Sequence, residues 1–94
     1  MNRVIFKNVT SSEAQVCVLL PTGGVSNFHV PAGGADDNTR ATAGEILVFW
    51  WRDDGTPCRQ CDDGSAACAR HAIVMPASDL GITLGDGKWS KQTV

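Results

Sequence analysis

Ile46-Leu47-Val48-Phe49-Trp50-Trp51 is an unbroken run of large apolar residues, and its reading decides the fold class. The run is too short for a stable lone helix, and its β-branched and aromatic side chains suit a pleated surface, so it predicts a strand from about Gly44 to Trp51. Successive strand residues point to opposite faces, which sends Trp50 and Trp51 into different layers. One face then belongs to a core, and the other needs a cover.

Upstream, Val4 and Phe6 alternate with polar neighbours in a first strand, Arg3–Val9. Ala14–Leu20 is apolar on both faces, as a central strand covered from two sides would be, and buries Cys17. Pro21-Thr22-Gly23-Gly24 supplies a hairpin turn into a partner strand, Val25–Val30, with Phe28 and Val30 inward and Asn27 and His29 outward. Pro31–Arg40, with Gly33-Gly34 and Asp36-Asp37-Asn38, reads as a loop.

Downstream, hydrophobic periodicity vanishes in a segment of Asp, Gly, Cys and Arg. A Cys-rich insert is predicted over 52–71, with a short helical turn at Ser65–His71. Strands resume at His71–Met75 and Gly81–Leu84, and Lys88–Val94 forms a last edge strand. The expected fold is all-β: a small antiparallel β-sandwich of six to eight short strands, immunoglobulin-like in size and strand spacing, forming one domain over residues 1–94.

Composition sets further bounds. With 94 residues, 43% hydrophobic and 19% charged, the chain has room for one core and no sign of disorder. A formal charge of −2 leaves no cationic surplus for phosphates, which argues against nucleic acid as a partner. No apolar run reaches spanning length. The chain is expected in the cytoplasm if Met1 is the native start, and outside the cell if a signal peptide was removed. Asn8-Val9-Thr10 fits a glycosylation acceptor, a triplet too common to carry weight.

The sharpest chemical pattern is Cys58-Arg59-Gln60-Cys61 followed by Cys68-Ala69-Arg70-His71. Paired ligands two residues apart meet one ion from a tight turn, so Cys58, Cys61, Cys68 and His71 have the grammar of a structural Cys3His zinc site. The leading expectation is therefore a non-enzymatic binding or assembly module built around zinc. The alternative uses the four cysteines, Cys17 included, in two disulfides, as in a small secreted effector or carbohydrate-binding domain. A Cys-x-x-Cys redox pair is disfavoured because it needs a helix start, which is missing here.

Acidic turns at Asp36-Asp37-Asn38, Asp53-Asp54-Gly55, Asp62-Asp63-Gly64 and Asp86-Gly87 lack the spacing of a calcium loop, so calcium is disfavoured. His29 and His71 are the two imidazoles, Glu13 and Glu45 stand alone, and no nucleophile elbow or phosphate loop occurs, so no enzyme is expected. A protein or carbohydrate ligand is placed instead on Trp50, Trp51, Asp53 and Asp54, where an aromatic face would lie beside acidic oxygens.

Overall fold

In a computed structural model that describes residues 1–21, 23–56, 58, 68–85 and 88–93, the chain forms two four-stranded sheets packed face to face. The strands are β1 (Asn2–Asn8), β2 (Ala14–Leu19), β3 (Val25–Val30), β4 (Ala35–Ala41), β5 (Ile46–Arg52), β6 (Ala69–Val74), β7 (Leu80–Gly85) and β8 (Lys88–Thr93). One sheet runs β4-β1-β7-β8 and the other β3-β2-β5-β6. The expected all-β sandwich is what the chain adopts. One pairing departs from a purely antiparallel plan: β1 and β7 run parallel, with Phe6 opposite Ile82.

The Ile46–Trp51 run lies at the centre of the second sheet, where β5 pairs with β2 on one side and β6 on the other. Its odd positions Leu47, Phe49 and Trp51 join Val4 and Phe6 of β1, Val16 and Val18 of β2 and Ile82 and Leu84 of β7 in the main core. Phe6 stands at the middle of that core and meets Phe28 and Phe49 edge-on, with ring centroids 5.4 and 5.5 Å apart. Such aromatic pairs add about 0.5–1.5 kcal/mol each beyond the area they bury. The even positions of β5 face the other way. Val48 and Trp50 form a separate buried cluster with Cys17, Cys58 and Cys68 on the outer face of the same sheet.

Turn chemistry places the strands as expected in one case and corrects the reading in another. Gly23, at φ 90°, closes the β2–β3 hairpin, where its N–H donates to Leu20 O at 2.8 Å. Pro31–Arg40 is not a loop throughout. Gly34 N–H donates to Pro31 O at 2.8 Å and Gly33 takes φ 71°, so the loop is one tight turn and β4 follows it at once. The strand signal is weak because β4 is an edge strand, paired to β1 alone, so its polar side chains stay wet. A register shift between Val4 and Phe6 further breaks its period of two. The predicted helical turn at Ser65–His71 is likewise corrected where it can be seen: residues 69–71 are already strand β6, and 65–67 lie outside the described residues.

Asn8 is 1% exposed at the end of β1 and ties both sheets together. Its amide donates to Ser12 O (2.7 Å) and Val30 O (3.0 Å), and its Oδ1 accepts from Thr10 N–H (2.9 Å) and the Thr10 hydroxyl (2.6 Å). The glycosylation-like triplet is thus committed to the fold, with no room at the amide for a sugar.

Candidate functional site

The zinc reading fails on strand parity and on sulfur chemistry. Cys58 and Cys68 are bonded to each other as a disulfide, with Cα atoms 5.8 Å apart. Neither sulfur is therefore a thiolate ligand. His71 pairs with Phe49, whose ring is in the main core, and lies 5.2 Å from it and 4.8 Å from Trp89 of β8. The imidazole faces the interior of the sandwich while Cys68 belongs to the outer-face cluster, so the sheet itself separates the two proposed ligands. Cys61 lies outside the described residues. Among the described residues no group of three or more His, Cys, Asp or Glu is placed to hold a metal ion.

Cys17 is also disulfide-bonded, and no described cysteine is free. Cys17 sits directly opposite Trp50 in the β2–β5 register, and Cys58 and Cys68 join it in covering the outer face of β5. Arg52 extends this cover, with Nη1 donating to Cys68 Sγ at 3.8 Å and Nε held by Asp54 Oδ1 at 3.0 Å. Beyond it, Leu19, Val25, Ile46 and Val74 remain exposed.

The four residues expected to form a ligand site occupy three different environments. Trp50 and Trp51 are 6% and 4% exposed, on opposite faces of the sheet. Both indole N–H groups are buried without a hydrogen-bond partner among the described residues. That costs about 1–3 kcal/mol per group, less than the about 4–6 kcal/mol gained by burying the ring area of a tryptophan. Asp53 lends its main-chain oxygen to the Ser12 hydroxyl at 2.7 Å. Asp54 accepts from Thr56 N–H (3.0 Å) and the Thr56 hydroxyl (2.6 Å), which, aided by Arg52, hold its carboxyl below the usual carboxylate value.

Sequence reading left Glu13 alone and His29 without an acidic partner. The structure pairs them, with His29 Nδ1 2.7 Å from Glu13 Oε1. Ala14 and Val30 are cross-strand partners in the β2–β3 ladder, so Glu13 and His29 are diagonal neighbours, one step to either side of that pair, a relation legible only once the hairpin register is known.

The two open sides of the sandwich are closed differently. On the β6–β8 side, Trp89 meets Phe49 edge-on at 5.3 Å and closes over His71. Burial there pushes the His71 imidazole below its ordinary pKa of 6.5. A histidine depressed in the fold binds fewer protons than in the unfolded chain, so its contribution is complete above pH 6.5 and is lost as pH falls below that value. The carboxyls of Asp54 and Asp79 are depressed from 3.8 and destabilise only further into acid. Thermal midpoints should therefore fall as pH drops from neutral towards 5, and His71→Phe should flatten that slope while leaving the steeper loss below pH 4. An unchanged slope in the variant would mean that His71 is not desolvated.

On the β3–β4 side Leu20 and Phe28 pack against the core, and β4, which has no aromatic residue, sends no ring across to the other sheet as Trp89 of β8 does. A cleft of about 410 Å³ opens there, lined by Leu20, by Ser26 and Phe28 of β3, and by Asp36, Asn38, Thr39 and Arg40 of β4. The register shift in β4 explains its polar wall. Asp36 is opposite Phe6 and Thr39 is opposite Val4, both core-facing residues of β1, although an odd spacing would put 36 and 39 on opposite faces of a regular strand. Asp36 accepts from Asn38 N–H (3.1 Å) and Nδ2 (3.2 Å), and Arg40 Nη1 donates to the main-chain oxygens of Asp37 and Thr39. These bonds hold a carboxylate, an amide and a guanidinium along β4, in the lining of a cleft that also includes the half-buried Phe28.

No family model matches this chain, and no curated protein or solved structure is significantly similar to it. Among the described residues no helix is long and apolar enough to cross a membrane.

Proposed function

We propose that the chain is a small secreted, disulfide-bridged domain that holds a ligand and performs no turnover. The observation that carries this reading is the buried cover of Cys17, Cys58 and Cys68 over Trp50. A domain of this size hides only about 60–65% of its unfolded surface, so cross-links substitute for missing core, and such bridges persist in oxidising compartments. Nucleophilic chemistry has little support: the described cysteines are bonded, His29 is turned to Glu13, and His71 lies between aromatic rings.

Protein purified from an oxidising compartment should show no reactive thiol when unfolded, an intact mass lower by two hydrogens per bridge than after reduction, and a thermal midpoint indifferent to a zinc chelator. Reactive cysteine thiols together with stoichiometric zinc would overturn the reading.

A further inference from the structure

We propose that the cleft between β3 and β4 is a binding site for a neutral saccharide. The proposal rests on the binding-domain reading and supplies the ligand class that reading lacks. The cleft's 410 Å³ falls within the roughly 300–1,000 Å³ typical of small-ligand sites. Its apolar lining is Leu20 and the Phe28 ring, which packs edge-on against Phe6 at 5.4 Å, so this apolar surface is held in place without further ordering. A sugar ring offers a matching face of C–H groups and a rim of neighbouring hydroxyls.

That rim meets planar groups with paired donors and acceptors. Asp36 retains unused carboxylate lone pairs beyond its two bonds from Asn38, Asn38 keeps its side-chain oxygen, and Arg40 keeps N–H donors beyond the Nη1 that bonds the backbone. Carboxylate, amide and guanidinium each engage two adjacent hydroxyls at once, which gives direction as well as affinity. Asp36 and Arg40 balance in charge, so the lining attracts neither a polyanion nor a polycation. A purely apolar ligand is disfavoured because it would strip water from these polar groups without replacing their bonds. The contrast with the opposite side of the sandwich is informative: there Trp89 fills the gap, whereas here the register shift in β4 turns Asp36 and Thr39 towards it.

The test is a titration of the full oxidised chain with neutral hexasaccharides of β-1,4-glucan, β-1,3-glucan, β-1,4-xylan and α-1,6-mannan, followed by amide shifts in ¹⁵N–¹H spectra. The expected result is saturable shifts centred on residues 26–28 and 36–40 with at least one of them. Asn38→Ala and Arg40→Ala should each weaken that binding about three- to tenfold, by loss of one or two hydrogen bonds. Both side chains are exposed, so an unchanged thermal midpoint verifies that the variants fold.

Absence of shifts with every hexasaccharide at about 10 mM overturns the proposal, because a site weaker than that is no site. Shifts centred outside the cleft overturn it as well. So does binding of an extended peptide along residues 25–30 that survives Asn38→Ala in a protein silent to all the glycans, which would identify β3 as a strand-pairing edge. An unreduced mass measured on the same sample separates the two readings. Bridges intact without saccharide binding sink the cleft alone, and saccharide binding by a protein with free thiols sinks the secreted reading alone.

Discussion

Removing the Cys58–Cys68 bridge, as the Cys58→Ala/Cys68→Ala variant, is expected to cost about 3 kcal/mol and to lower the thermal midpoint by roughly 10–20 °C. The bridge spans a sequence separation of 10, and closing a loop of that length in the unfolded chain accounts for about 3 kcal/mol by restricted entropy. A second contribution comes from the folded side. Both sulfurs lie in the buried cluster with Trp50, so a loosened segment would let water reach an indole that is now 6% exposed. Urea unfolding of the variant and the wild type, with tryptophan emission as the signal, measures both effects. A loss under about 1 kcal/mol, with no red shift of native-state emission, would show that the bridge neither restricts the chain nor holds the cover in place.

What could be read in advance follows from how local each signal is. The Ile46–Trp51 run and the apolar Ala14–Leu20 segment announce buried strands because their residues have no other way to leave water, and they do become adjacent central strands. Strand β4 was illegible for the opposite reason. Its sequence, ADDNTRA, carries turn formers, and the pairing that makes it a strand is with β1, which lies beside it in the sheet but far from it in the sequence. The cleft inherited that illegibility, since its polar wall depends on a register shift that erases the period of two. For the cysteines, spacing along the chain described two disjoint geometries equally well. What decides between them is that His71 lies in register with Phe49 on the inner face, which could be inferred only after β5 and β6 were paired. Gly81–Leu84 and Lys88–Val94, by contrast, were readable as strands from their own residues, and they pair antiparallel as β7 and β8.

Trp51→Ala and Trp50→Ala should each cost about 3–5 kcal/mol in the oxidised protein, because each ring fills a buried space that a methyl cannot. Opposite faces of β5 do not make one tryptophan dispensable, since the outer one is covered too: relative exposures of 4% and 6% leave no wet face on either. The difference between them lies in what each depends on. Trp51 packs in the main core with Val16, its partner across β2, and that contact is made by strands alone. Trp50 packs against Cys17, Cys58 and Cys68, so its burial requires the bridges. In the reduced protein the cover loosens, and the penalty for Trp50→Ala should shrink by about 1–3 kcal/mol while that for Trp51→Ala holds, the non-additivity expected of groups in contact. Four urea titrations, each variant with and without reductant and referred to wild type under the same conditions, give both coupling energies. Equal coupling to the bridges for the two tryptophans would refute the assignment of Trp50 to a satellite core, and a coupling confined to Trp51 would place the disulfide cover on the wrong face of the sheet.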